Sequence, residues 1–191
     1  VLASSSPQRR AILQGLGVAF TVRPVDVREL ARGEPEEIAL QNALRKAKAA
    51  SRKAQAQGEI LLGCDTIVAL DGRIHGKPRD ERAARRTLQA LSGATHRVFS
   101  GVAVLGAGEP RTAVAHTAVS FRRFDERLLQ WYLATGEWRG RSGGYAIQKA
   151  GSALVRAVRG DVQNVVGLPV ARLLDIYPEL LHTHRKGADV R

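Results

Sequence analysis

One acidic residue in the most apolar stretch of the chain constrains the fold more than any other feature. The run Ile60-Leu-Leu-Gly-Cys-Asp-Thr-Ile-Val68 carries a single charge, Asp65. Its aliphatic and β-branched content suits a buried strand. A carboxylate buried there without a partner is costly. Asp65 is therefore either a structural group paired with an arginine or a functional one. Held rigidly at a cleft edge, it would serve as a metal ligand or general base. The residues alone leave these two readings equal.

Around that run the apolar pattern switches repeatedly between strand and helix periods, which argues for an α/β protein. Val1–Ser4 reads as a strand entering the turn Ser5-Ser6-Pro7. A helix follows over Pro7–Leu16, with Ser6 as N-cap, Pro7 as first helical residue and Gly17 as terminator. Phe20–Arg23 reads as a short strand and Pro24–Gly33 as a polar loop. Pro35–Gln55 is expected as a long helix with Ile38, Leu40, Ala43, Leu44 and Ala47 on its apolar side. Asp71-Gly72 signals a hairpin turn, and a helix opens at Arg79-Asp80 and runs to Leu91. His96–Leu105 and Arg111–Arg122 alternate and read as an antiparallel pair. Asp125 caps a helix to Ala134, a strand is expected near Ala153–Val158, and a last helix over Pro169–Leu181.

A length of 191 residues fits one compact unit, or two small lobes around a cleft. No repeat or linker divides it, so 1–181 reads as one domain and 182–191 as a polar tail that frays. The chain contains no Met and opens like the end of a strand, so preceding residues, the initiator among them, are expected. No stretch approaches the ~18 apolar residues that span a membrane, and the opening does not read as a signal peptide. Cys64 is the single cysteine, which fits a reducing, cytoplasmic compartment. No histidine stands near it in sequence to lower its pKa, so it reads as a small buried strand residue.

The net charge of +12, carried by 24 Arg and 6 Lys, favours anionic partners. Nucleic acid is disfavoured, because the basic residues are scattered and aromatics are only 5%. Walker, dinucleotide, H-E-x-x-H and zinc-cysteine signatures are absent. The pair His182 and His184 reads as a solvated tail feature.

Several charged groups remain. Ser4-Ser5-Ser6-Pro7-Gln8-Arg9-Arg10 puts hydroxyls, free N–H groups and cations at a helix start, a natural phosphate site; its plain alternative is an N-cap with surface arginines. Gly76-Lys77-Pro78 restrains a lysine between a glycine and a proline. Lys46 and Lys48, beside Arg45, read individually as a solvated helix face. Asp26 and Glu29 offer further metal-binding oxygens. Gly143-Gly144-Tyr145-Ala146-Ile147-Gln148 allows close backbone approach, with Gln148 able to read a base edge. Together these describe hard oxygens and cations around a sheet, suited to a polyphosphate with magnesium.

The same residues resemble the Maf family in ordered blocks through most of the chain. Leu2-Ala-Ser-Ser-Ser-Pro-Gln-Arg9 is similar to its opening L-A-S-x-S-P-R-R, and Ala43-Leu-Arg-Lys46-Ala47 to its K-A helix. Gly63-Cys-Asp65-Thr66-Ile-Val68 resembles the D-T block, and Gly76-Lys77-Pro78 the K-P block. Leu91-Ser-Gly93, His96-Arg-Val98, Ser100-Gly101-Val102, Gly144-Tyr145-Ala-Ile147-Gln148 and Val165-Val-Gly167-Leu168-Pro169 continue the match.

The resemblance implies an elongated, ITPase-like α/β fold, with a mixed sheet flanked by helices and two lobes around a central cleft. It implies hydrolysis of a nucleoside triphosphate between the α and β phosphates, with Mg2+ or Mn2+. By position, Asp65 would accept the proton of the attacking water. Ser6, Arg9, Lys46 and Lys77 would hold phosphates, Lys77 also counting as catalytic, and Glu29 would help Asp65 with metal or water. Thr66 and Gln148 resemble the dTTP/UTP subgroup, whereas Gln8 stands where that subgroup has arginine. Gln8 removes a charge from the pocket, so 7-methyl-GTP or a broad nucleotide range is the alternative. The resemblance also makes a homodimer plausible and brings a non-catalytic septum-formation role as a competing class.

Overall fold

The computed structural model describes residues 1–53 and 58–182. Among these residues five strands form one sheet in the order β2-β1-β3-β4-β5. They are β1 Leu61–Leu70, β2 Arg73–Ile74, β3 Thr95–Leu105, β4 Arg111–Phe121 and β5 Val155–Arg159. All four pairings are antiparallel. The parallel component comes from Leu2, which bridges Leu62 on one side and Val22 on the other. The expected strands at Val1–Ser4 and Phe20–Arg23 are thus reduced to single bridges. The serine turn leads at once into a helix, and Pro24, which cannot donate to a ladder, closes the second segment.

Among the described residues six α-helices flank the sheet: α1 Pro7–Gly15, α2 Pro35–Ser51, α3 Glu81–Leu91, α4 Glu126–Ala134, α5 Val162–Val166 and α6 Val170–Ile176. Their starts follow capping chemistry. Ser6 accepts from the Arg9 amide, and Asp80 and Asp125 accept from Ala83 and Leu128. The end expected for α2 at Gln55 lies outside the described residues. The helix expected over Pro169–Leu181 is broken: α6 stops at Ile176, and Pro178 starts a 3₁₀ turn to His182. Proline disfavours helix at the residue before it, here Tyr177. α5 and the 3₁₀ turn Ala150–Leu154 were not expected, since one turn of helix is too short to show a period. Of the expected tail, residues 183–191 lie outside the described residues.

One face of the sheet is covered by α2, and two glycines permit it. A Cβ on Gly63 would stand 2.1 Å from the Ala43 carbonyl oxygen, and one on Gly101 2.3 Å from that of Ala39. The helix backbone therefore rests directly on β1 and β3. Ile38, Ala39, Asn42, Ala43, Ala47 and Ala50 are buried there. Leu40 and Leu44, expected on the apolar side, are only half-buried.

The opposite face carries two apolar cores. One gathers Val68, Val98, Val119 and Phe121 with Leu88, Leu91, Leu129, Tyr132 and Leu133 of α3 and α4. The other gathers Leu2, Leu62, Cys64, Val102 and Val104 with Leu13 and Leu173. Between them runs a polar band: Thr66, Ser100 and Thr117, with Asn164 of α5 above.

The outer edge of β1 is closed at both ends and open in the middle. At one end Leu62 exchanges hydrogen bonds with Val1 and Ala3, at 2.8 and 2.9 Å. At the other, β2 pairs with Ala69 and Leu70, and the His75 amide donates to the Val68 carbonyl at 2.7 Å. Asp65 and Thr66 lie between these two closures.

Candidate active site

A cleft of about 590 Å³ opens at this gap. Ser6, Gln8, Arg9, Glu29, Lys46, Asp65, Thr66, Lys77 and Gln148 all line it. Asp26 does not; it is exposed on the loop outside the lining.

Asp65 is buried under α2 with both oxygens engaged. Oδ1 accepts from Lys46 Nζ at 2.6 Å, and Oδ2 from Asn42 Nδ2 at 3.0 Å. Its ionic partner is therefore a lysine rather than an arginine. The same Lys46 Nζ lies 2.6 Å from Glu29 Oε1, so one ammonium bridges two carboxylates. With its side chain 11% exposed, Lys46 is no solvated face. The reason is helical phase: Asn42 and Lys46 are i,i+4 neighbours, and both face Asp65. Asn42 was missed in the sequence. Its signal is an amide among the alanines of the buried stripe, where a polar group needs partners. It finds them in Asp65 and in both backbone groups of Leu30, at 2.7 and 3.1 Å, which ties down the loop bearing Glu29.

Arg9 is also buried, and it braces three segments. Nε donates to the Gly167 carbonyl at 2.8 Å, Nη1 to Ser4 Oγ at 2.9 Å and Nη2 to Thr66 Oγ1 at 3.1 Å. A guanidinium has five N–H groups, so two remain. Ser6 donates its hydroxyl to Gln8 Oε1 at 2.9 Å, which leaves the Gln8 amide N–H groups for the cleft. Lys77 is exposed on the rim and forms no ion pair among the described residues.

The wall carrying Gln148 is built on glycine. Gly143 and Gly144 both have φ of +71°, which only glycine adopts readily. A Cβ on Gly143 would also press the Val68 side chain at 3.0 Å. The loop is tied to the sheet by Gly143 N–H to the His75 carbonyl at 2.9 Å, and by the Ser142 hydroxyl to the Thr66 carbonyl at 3.0 Å. Tyr145 pairs its hydroxyl with His96 Nε2 at 2.9 Å. Burial, with a smaller push from His75, lowers the His96 pKa to about 4. Burial, and then Arg73, also lowers that of His75. Gln148 itself is exposed on the rim.

Cys64 is fully buried and donates to the Gly167 carbonyl at 3.1 Å. Burial raises its thiol pKa, so it is an inert strand residue, as expected. Among the described residues no three His, Cys, Asp or Glu side chains group to hold a metal ion. No helix among them is long and apolar enough to cross a membrane.

The family profile for Maf-like protein matches residues 1–180. The chain belongs to the Maf family. Among similar proteins, a dTTP/UTP pyrophosphatase of Anaeromyxobacter dehalogenans (strain 2CP-C) is 46% identical over 177 residues, covering 90% of this chain and 88% of that one. One from Pelotomaculum thermopropionicum is 40% identical, with 92% and 93% covered. One from Pyrococcus furiosus is 39% identical, with 92% of each covered. A crystal structure of a nucleoside-triphosphatase, dITP/XTP pyrophosphatase, from Mycobacterium abscessus superposes with a TM-score of 0.43 at 20% identity, covering 64% of this chain and 74% of that one. That distant likeness adds nothing to the assignment.

Proposed function

We propose that this Maf protein hydrolyses nucleoside triphosphates between the α and β phosphates, with dTTP and UTP as its preferred substrates. The observation that carries the reading is the largely buried Lys46 ammonium between Asp65 and Glu29, in a cleft whose rim carries Lys77, which has no ion-pair partner among the described residues. A rigid acid among cations is what anhydride hydrolysis needs and simple anion binding does not. The names of the relatives support the same reading.

In this account Lys77 and the remaining N–H groups of Arg9 hold the phosphates, and Ser6 faces them at the helix start. Asp65 orients a water against the α phosphorus. The water oxygen forms a bond to phosphorus, the α–β anhydride P–O bond breaks, and its electron pair leaves with pyrophosphate. The water's proton passes to Asp65. Each Asp65 oxygen holds one hydrogen bond and keeps a lone pair for this task. Thr66, Gln148 and Gln8 read the base.

Magnesium or manganese fits the donor set, since Asp65 and Glu29 supply hard oxygens that already converge on one cationic point. Two carboxylates alone make an incomplete shell, so the remaining ligands would be phosphate oxygens and water. When bound, the ion neutralises charge on the pyrophosphate leaving group.

The test is pyrophosphate release from dTTP, UTP, CTP, 5-methyl-UTP, ATP, GTP and 7-methyl-GTP, with and without each metal. Release centred on dTTP and UTP is the expected result. Release centred on 7-methyl-GTP would transfer base choice to Gln8, and no metal-dependent release from any nucleotide would overturn the reading.

A further inference from the structure

The polar band between the two cores has a fixed hydrogen-bond direction. Ser100 donates its only hydroxyl hydrogen to the Asn164 carbonyl at 3.0 Å, because a carbonyl can only accept. In the 2.9 Å contact of Thr66 Oγ1 with Ser100 Oγ, Thr66 must therefore be the donor. Arg9 Nη2, which can only donate, fills one Thr66 lone pair at 3.1 Å. The chain runs one way: Arg9 to Thr66 to Ser100 to the Asn164 backbone. Its far end is locked as well. Asn164 is fully buried, and its amide donates to the Val98 carbonyl and to Thr117 Oγ1, both at 2.9 Å. Thr117 in turn donates to the Asp161 carbonyl at 2.9 Å. Ser100 is fully buried and reaches no part of the cleft.

We infer that Ser100 is a positioning residue for base choice: by taking the Thr66 proton, it leaves Thr66 only a lone pair to offer the cleft. The inference rests on the nucleotide reading above. A Thr66 that can only accept pairs with a ring N–H, which uracil and thymine present between their two carbonyls. Cytosine presents a ring nitrogen lone pair at that place, and two acceptors face each other. The selectivity resides in Thr66, and Ser100 sets it through the direction of one hydrogen bond.

The experiment compares kcat/KM for UTP and CTP in wild type, Ser100→Ala, Ser100→Thr, Thr66→Val and the Ser100→Ala/Thr66→Val double variant, with melting temperatures alongside. In Ser100→Ala the Thr66 hydroxyl is released and can turn its hydrogen to the base. The UTP preference then falls about tenfold, the scale of one mismatched hydrogen bond, chiefly through a lower KM for CTP. Ser100→Thr keeps the hydroxyl and restores the preference. In the Thr66→Val background, Ser100→Ala changes the ratio no further. Equal losses for both nucleotides in Ser100→Ala, an unchanged ratio, or a shift that persists without Thr66 would each overturn the inference while the hydrolase reading stands. A wild type that hydrolyses CTP as readily as UTP would also overturn it. A wild type that releases pyrophosphate from no nucleotide would remove both.

Discussion

Lys46 Nζ lies 2.6 Å from Asp65 Oδ1, joining the middle of α2 to the middle of β1 inside the cleft wall. The contact exists because α2 lies flat on the strands, and it does so because Gly63 and Gly101 carry no side chains. The Lys46–Asp65 pair is thus held by one rigid helix-on-sheet unit. Lys77 and Gln148, also on the cleft lining, are exposed by contrast.

Lys77 offers the cleanest test of phosphate contact. It is exposed and unpaired among the described residues, so Lys77→Ala should change folding stability by no more than about 0.5 kcal/mol. Losing a charge-assisted hydrogen bond to phosphate should lower kcat/KM by about 10- to 100-fold. Steady-state kinetics and a urea titration measure the two effects. Unchanged kinetics would demote Lys77 to a surface residue.

Gly101→Ala should damage stability and activity together. The new Cβ would meet the Ala39 carbonyl oxygen at 2.3 Å, its carbon at 2.5 Å and the Leu40 nitrogen at 2.7 Å, all backbone atoms that cannot swing aside. A cost of about 1–3 kcal/mol or more is expected, with turnover falling as α2 lifts Lys46 away from Asp65. Gly15→Ala is the control: nothing lies within 4 Å of its Cβ, and it sits in α1. That change should leave stability equal or raise it by up to about 1 kcal/mol. Chemical denaturation of both variants decides the matter.

Acid should weaken the fold through His96. Its folded pKa of about 4 lies below the ordinary 6.5, so between these values the unfolded chain binds a proton that the folded one does not. The contribution is fully present above pH 6.5 and is lost as pH falls towards 4, reaching about 3 kcal/mol. His75, shifted the same way, adds to the loss. The melting temperature of wild type should drop over that window, and His96→Gln should flatten the drop. An identical slope in the variant would rule out His96 as its source.

Much of this was legible in the sequence where local chemistry decides structure. Ser6, Asp80 and Asp125 announced their helices as caps, and Asp71-Gly72 announced the hairpin joining β1 to β2. Asp65 announced itself by being the one charge in an apolar run. What stayed hidden depends on contacts distant in sequence. Lys46 looked solvated because nothing in α2 says that Glu29 and Asp65 lie over it. Arg9 reads as an anion hook, and nothing local says that Gly167, 158 residues away, takes its Nε hydrogen and makes it a brace as well. Asn42, Ser100 and Asn164 carry no motif at all, since their roles come from which polar groups the packed sheet brings within reach. The strands expected at both ends of the first helix became bridges because pairing length, unlike propensity, is set by neighbours.

The most direct measurement is pyrophosphate release from UTP, with magnesium, by wild type and Asp65→Asn at matched melting temperature. Asparagine keeps the shape and an acceptor for Lys46 but cannot take a proton from water. The account predicts a loss of at least about 100-fold in kcat, the scale of general-base catalysis, with the fold retained. Near-normal release by Asp65→Asn would contradict the assignment of Asp65 as the base.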